Sequence, residues 1–390
     1  MPGGIYSLTQ VTEQQVDGTW PTSWYKATPL YAWGFNGYGR LGLNDTNNRS
    51  SPVQVGTANW TSVTGGNNTT LAIKTDGTLW GWGYNVHGSI GDGTTVSKPI
   101  PTQIGSLTNW KTVFSGPGGY SGGAIKTDGT LWVWGIGSNG VLGLTDTTYR
   151  SSPIQVGLLT NWKTVSFQSD VTAALKTDGT LWTWGRNAYG TLGQGEVTTF
   201  SRSSPVQVGS DTNWNSIASN GGTIAATKTN GTLWIWGRNN FGQLGRGNTT
   251  NSAFPIQVGL LTNWASISTT QVNNISMGGG FVVAVKTDKS MWGWGNNSFG
   301  QMGMGFTVNL SSPQQVGGGT TWSQVAATNE SVIALSITNF LWAWGNNGNG
   351  QVGDGTAIRR SAPVQIGTNI DWQAISTSGG SAFAIRLPPP

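Results

Sequence analysis

"VTAALKTDGTLWTWG" occupies residues 171–185. Asp-Gly between two apolar, β-prone runs is the strongest short-range hairpin signal, so this stretch reads as two antiparallel strands around a tight turn. The phrase returns as "TDGTLWGWGYN" at 75–85, "TDGTLWVWGIG" at 127–137, "TNGTLWIWGRN" at 229–239 and "TDKSMWGWGNN" at 287–297, with a weaker copy, "ITNFLWAWGNN", at 337–347. Self-similarity of this kind must be settled before any local reading, because it decides the fold.

Three markers keep the same order along the chain. A Trp-Gly pair falls at Trp33, Trp82, Trp134, Trp184, Trp236, Trp294 and Trp344, spaced 49 to 58 residues apart. A second tryptophan opens an apolar run at Trp60, Trp110, Trp162, Trp214, Trp264, Trp322 and Trp372. An "SSPVQVG"-type segment carries Pro52, Pro101, Pro153, Pro205, Pro255, Pro313 and Pro363. Each unit reads as four strands: "NWKTVSF" (161–167), the two arms of the hairpin, and "SPVQVG" after a Gly-rich loop. Proline at the start of the last strand removes no ladder donor.

Four strands in about 50 residues, repeated without helical periodicity, predict an all-β propeller. The predicted fold is a seven-bladed β-propeller of four-stranded blades. The array begins at "LYAWG" (30–34) and stops at "SAFAIRL" (381–387), each a fragment of one hairpin. The N- and C-terminal strands are therefore expected to pair and close the ring, leaving no long open edge. Aligning the fragments places Ile385 opposite Tyr31 and Phe383 opposite Trp33. The expected organisation is an N-terminal extension, 1–27, that serves as a possible attachment segment, followed by the propeller, 28–390.

Twenty-two tryptophans in 390 residues first suggest a binding surface. Twenty of them occupy repeat positions, and only Trp20 and Trp24 do not. Residues two apart on a strand share a face, so each Trp-x-Trp pair faces one way with a mostly small residue between. A core role is the simpler reading: burying one tryptophan removes about 150–250 Å² from water, an upper bound of roughly 4–6 kcal/mol.

Charge is sparse at 9% of residues, and 20 basic against 15 acidic side chains leave a net charge of +5. That is far from a basic stripe and argues against nucleic acid as a partner. Lys74, Lys126, Lys176, Lys228 and Lys286 recur beside the hairpin turns and read as solvated ends. Cysteine is absent, which removes disulfides, zinc thiolates and a Cys nucleophile. No apolar run is long enough for a membrane span. The start, "MPGGIYSLTQVTEQQ", lacks the basic and apolar regions of a signal peptide, so the expected location is cytoplasmic or within an assembled particle.

"LWGWGYNVHGSIGDGTTVSKPIPTQI" and "LWIWGRNNFGQLGRGNTTNSAFPIQV" resemble the repeats of the RCC1 family (regulator of chromosome condensation), in their bacterial and viral wording. The carrying motif is W-G-x-N-x-x-G-x-L-G with a later S-P-x-x-V, and the similarity covers about residues 28–390. It implies a seven-bladed propeller and protein partners. Family functions vary, since fold does not fix function. The family's exchange factor uses an inserted wedge and a basic tail; here the longest spacing adds only a few residues around Gln271–Gly278. The Gly-Trp-Arg-His-Thr motifs of the plant ultraviolet receptor are absent.

Catalytic candidates are few. The single histidine, His87, stands at a loop position held by Tyr38, Tyr189, Phe241 and Phe299 elsewhere and reads as structural. Asp76, Asp128, Asp178 and Asp288 sit in turns that suit Asp before Gly, and the three glutamates form no motif. The reading assigns no enzyme activity, catalytic residue, cofactor or metal. Function is instead sought where the copies disagree. That selects as partner contacts Trp20, Trp24 and Tyr25 in the extension, Asn273, Asn274 and Ile275 in the insertion, and the pair Arg359-Arg360. The leading expectation is a non-catalytic interaction scaffold that binds a protein through a propeller face or the extension. A structural or adhesive component of a virion or cell surface is the alternative, and guanine-nucleotide exchange on a small GTPase ranks third.

Overall fold

A computed structural model describes residues 27–116, 120–196, 200–264, 275–317 and 321–387. The repeat phrase folds as its pattern dictates. In the blade of residues 162–207, strands Trp162–Phe167, Val171–Lys176, Leu181–Gly185 and Arg202–Gln207 form one antiparallel sheet in chain order. We number this blade 3. Blades 1, 2, 4, 5 and 6 contain the hairpins at residues 69–83, 121–135, 223–237, 281–295 and 331–345. Blade 7 is assembled from Trp372–Thr377, Ser381–Arg386, Pro29–Gly34 and the first half of Arg49–Gly65. That last strand runs on into blade 1 and joins the two into one seven-stranded sheet. The first strands of neighbouring blades touch one another, which places them innermost around the axis.

The described residues form one apolar core between each pair of neighbouring blades rather than a single central one. Between blades 2 and 3, Ile125, Leu131 and Val133 meet Trp162, Ala174 and Trp184. Between blades 3 and 4, Ala173, Leu175 and Leu181 meet Trp214, Ala226 and Trp236. Each blade thus offers an indole face to the preceding blade and an aliphatic face to the next. The second tryptophan of each Trp-x-Trp pair is completely buried, and its indole N–H crosses the boundary to a backbone carbonyl of the preceding blade. Trp82 donates to Arg40 at 2.9 Å, Trp134 to Ser89 at 3.0 Å, and Trp184 to Val141 at 2.8 Å. Trp236 donates to Thr191, Trp294 to Gln243, Trp344 to Gln301 and Trp33 to Gln351, completing the circle. Beside each acceptor stands a glycine of the W-G-x-N-x-x-G-x-L-G motif; a Cβ on Gly143 would come within 2.8 Å of the Trp184 indole nitrogen.

Closure occurs in blade 7, but one residue out of the expected register. Leu30 pairs with Ile385, Tyr31 with Ala384, Ala32 with Phe383 and Trp33 with Ala382. The other hairpins explain the correction. Trp182 and Trp184 lie opposite Ala174 and Thr172, small residues that leave room for an indole. A one-residue slip exchanges the faces of a strand. It would set Phe383 against Trp33 instead of in the core with Trp60 and Trp82, where it lies. The fourth strand also starts earlier than expected, at Arg150 in blade 2, and Pro153 falls at a register shift where a ladder donor is not needed.

The hairpin lysines are not solvated. Lys126, Lys176 and Lys286 are buried, with each ammonium lying over two indoles. The Lys176 Nζ is 3.6 Å from the ring centroid of Trp182 and 5.0 Å from that of Trp162. Burial lowers the pKa of Lys74, Lys126, Lys176 and Lys286 from the usual lysine value, and cation–π attraction compensates the desolvated charge. The first tryptophan of each pair is half-buried, and in blades 1 to 5 the stem and ammonium of the lysine form part of its cover. The turn completes the arrangement. In blade 3 the Trp182 indole donates to the Thr180 hydroxyl at 2.8 Å, and Thr180 donates from both N and Oγ1 to the Asp178 carboxylate.

The extra residues of blade 5 are also displaced from their expected place at Gln271–Gly278. Ile275 pairs with Ala284 as Ile217 pairs with Ala226, so it belongs to the innermost strand. The additional length lies within 265–274, outside the described residues.

Two outcomes follow from this packing. Removing residues 381–390 deletes the partner strand of Pro29–Gly34; urea unfolding should become broad and shift to a lower midpoint, and a transition as sharp and late as that of the full chain would refute ring closure. The hydrogen bonds from Thr180 hold the Asp178 carboxylate below its ordinary 3.8, and Asp76, Asp128 and Asp288 behave alike. A carboxylate depressed in the folded state stabilises above its unfolded pKa, and that stability is lost as pH falls through the folded value. Unfolding midpoints should therefore decline below about pH 4. Asp178→Asn should flatten part of that decline while keeping the fold, because Asn230 fills the same turn position in blade 4.

Candidate interaction face

The two ends of the propeller differ. One carries the Asp-Gly turns and the connections between blades. The other carries the turns between first and second strands and the long loops between third and fourth. On this second end, one residue per blade ties the two segments together. Its backbone N–H donates to the short turn: Phe35 to Gly380, Tyr84 to Asn68, Ile136 to Tyr120, Arg186 to Asp170, Arg238 to Gly222, Asn296 to Gly280 and Asn346 to Glu330. The motif asparagine then shapes the long loop. Asn239 accepts from the Leu244 N–H at 2.8 Å and donates to the carbonyls of Asn248 and Thr250. Salt bridges within the same loops, such as Arg150–Asp146 at 2.6 Å, brace their outer parts.

The scaffold of this face is repetitive, but its exposed side chains are not. Across blades 7, 1 and 2 they are aromatic. Tyr38 and Tyr84 lie 4.7 Å apart, Tyr84 and Tyr120 5.6 Å, and His87 stands 5.1 Å from Tyr120 and 5.8 Å from Tyr149. Beneath them the buried Arg40 guanidinium donates to the Asn67 carbonyl at 2.6 Å and to the Asn68 side chain, and lies 4.5 Å from the Phe35 ring. Burial lowers its pKa to about 10, so it keeps its charge at neutral pH. In blades 3 and 4 the face becomes cationic: Arg186 pairs with Asp170 at 3.3 Å, and Arg238 lies 5.2 Å from the Tyr189 ring. Blades 5 and 6 present amides, with Asn346 donating to Glu330. Val96, Tyr149, Phe200, Val308 and Ile358, each one or two residues before a fourth strand, add exposed apolar groups.

Tyr38 and Tyr189 hold φ of 64° and 66°. Bulky residues in this left-handed region are outliers where glycine would fit without strain. Both side chains are exposed on this face. His87 makes ring contacts with three tyrosines. Among the described residues, no group of three or more His, Asp or Glu side chains is placed to hold a metal.

Of the residues selected from sequence, Trp20, Trp24, Tyr25, Asn273 and Asn274 lie outside the described residues, and the backbone of Ile275 lies in the innermost strand of blade 5. Arg360 is engaged within its own blade, its Nη2 lying 2.6 Å from Asp354. Arg359 reaches blade 5, 4.8 Å from the Phe299 ring, and is on the face described here. The aromatic group was missed. Part of its signal, Tyr84, was present in the position before the motif asparagine or its counterpart, which changes from Phe35 and Tyr84 through Ile136, Arg186 and Arg238 to Asn296 and Asn346.

Residues 117–386 match the family described as the RCC1-like domain, and residues 29–73 and 76–118 match the RCC1 repeat. Prp20p from Saccharomyces cerevisiae, studied with its binding to Gsp1p and histones, is similar in structure at 17% identity and a TM-score of 0.79, covering 94% of this chain and 93% of its own. Yeast RCC1 (Prp20) bound to Kap60 is likewise similar at 17% identity and a TM-score of 0.79, covering 94% of this chain and 90% of its own. Human WBSCR16 is similar at 18% identity and a TM-score of 0.78, covering 93% of this chain and 99% of its own.

Replacing Tyr38 or Tyr189 by glycine relieves the positive φ at a partly or fully exposed site. Each variant should unfold within about 1 kcal/mol of the parent, in either direction. A loss above about 2 kcal/mol by urea titration would make these rings part of the fold's support.

Proposed function

This chain belongs to the RCC1-like domain family, and from that premise we propose that it is a non-catalytic scaffold whose protein partner docks on the face of the long loops. One observation carries the reading: aromatic side chains are held at strained positive-φ positions on this face, where glycine would satisfy the backbone. Aromatic and arginine side chains supply most hot spots in protein interfaces, and both are grouped here. The binding of Gsp1p and histones by Prp20p, and its complex with Kap60, are precedents for protein recognition on this fold. They make exchange on a small GTPase the second reading. Residues 1–27, with Trp20, Trp24 and Tyr25, are proposed as an additional attachment segment. No observation here favours a particle component.

Site-specific photocrosslinking tests the assignment. A benzophenone amino acid at Tyr149 lies on the proposed face, and one at Leu158 lies on the opposite end in a more exposed loop. In extracts of the source cells, adducts should form from position 149 and not from 158. Adducts from 158 alone would reject the face, and acceleration of GDP release from a crosslinked GTPase would replace the scaffold reading by exchange.

A further inference from the structure

Blade 6 keeps the indole pair of its neighbours but has lost the cation. In blades 1 to 5 an ammonium stands 3.3 to 4.2 Å from the first indole of the Trp-x-Trp pair: Lys74 over Trp80, Lys126 over Trp132, Lys176 over Trp182, Lys228 over Trp234 and Lys286 over Trp292. Blade 7 uses Arg386, 5.3 Å from both Tyr31 and Trp372. In blade 6 the position belongs to Ser336. Its side chain is three heavy atoms shorter than lysine, and its hydroxyl is occupied by the Phe340 N–H and by Thr338. Yet Trp322 and Trp342 remain 6.0 Å apart at 80°, close to the 6.2 Å and 84° of Trp110 and Trp132 around Lys126. Among the described residues no cation lies over either ring.

The turn of blade 6 differs as well. In blades 1 to 5 the first indole N–H donates to the turn hydroxyl, as Trp132 does to Thr130 at 2.9 Å. In blade 6 Phe340 stands where that hydroxyl would be, and the buried Trp342 Nε1 has no partner. The rest of the turn changes too: Thr338 replaces the aspartate, and Ile337 is exposed beside it. The ring of Trp342 is half-exposed while Trp322 is covered, so the pair is approached from the Trp342 side.

We propose that the Trp322–Trp342 pair binds an alkylammonium group supplied by another molecule, either a lysine side chain of a protein or a free amine of similar length. Two indoles at this angle attract an ammonium through their negative ring faces, as the five neighbouring blades demonstrate with their own lysines. Without a turn carboxylate, binding should be weak, with a dissociation constant on the order of millimolar. The site lies on the Asp-Gly-turn end of the ring and does not depend on the partner face proposed above.

The full chain labelled with 5-fluorotryptophan provides the test, the Trp342 fluorine signal being identified by its loss in Trp342→Phe. Butylammonium, which reproduces the lysine side chain, should move that signal saturably, and 1-butanol of equal length should not. Nα-acetyl-lysine amide separates the sources: a saturable shift assigns the site to protein lysines, and a shift with butylammonium alone assigns it to free amines. Ser336→Lys should fill the site from within and abolish the response, and Ser336→Ala should retain it. The proposal fails if butylammonium produces no saturable shift up to roughly fifty times the expected constant, if the alcohol acts equally, or if the response survives Ser336→Lys.

Discussion

The ring depends on an indole N–H that crosses each blade boundary to a backbone carbonyl. This one bond sets several constraints at once. The tryptophan must lie on the face turned to the preceding blade, opposite a small residue such as Ala382 or Thr172. The acceptor loop must pass close to the indole, which leaves no room for a Cβ at Gly143 or Gly353. An indole N–H buried without an acceptor would cost about as much as a lost hydrogen bond, so position and orientation are fixed together. The same bond from Trp33 to Gln351 joins residues at opposite ends of the chain, and the ring therefore closes with no interaction foreign to its other joints.

At the turn end, sparse charge becomes part of the packing. Each lysine spreads its stem and ammonium across two indoles, and the carboxylate at the turn is committed to a Thr or Ser hydroxyl and backbone N–H. Blade 7 has no such turn, because its two central strands, Ser381–Arg386 and Pro29–Gly34, are not consecutive in the sequence, and it uses Arg386 against Asp371 and Tyr31 instead. Blade 6 has the hairpin but neither the lysine nor the aspartate. Repetition makes that departure visible, since five filled copies define what a complete one contains.

The loop end uses repetition differently. Asparagine side chains and backbone bonds give every blade the same platform, and the platform carries side chains that differ from blade to blade. Aromatic, cationic and amide sectors arise from substitutions that the scaffold tolerates because they point to solvent. Tyr38 and Tyr189 carry backbone strain there, while Phe35 rests against the buried charge of Arg40. Family membership and fold likeness reach only to the platform, since relatives at 17–18% identity share the architecture and not necessarily these side chains.

The amino-acid sequence alone determined the strand count, the order of strands within a blade, the number of blades and the pairing of the termini. These follow from local rules, period-two alternation and Asp-Gly turns, repeated until chance is excluded. It left the closing register one residue out, because the fragments at residues 30–34 and 381–387 lack the turn that sets register elsewhere; packing of Phe383 and Trp33 on opposite faces decided it. It also misjudged the lysines, since a residue beside a turn looks solvated until the tryptophan of another strand is brought over it. The aromatic group of Tyr38, Tyr84, His87, Tyr120 and Tyr149 escaped sequence reasoning for the same physical reason: its members come from the loops and turns of three consecutive blades, and only the packing of those blades makes them neighbours.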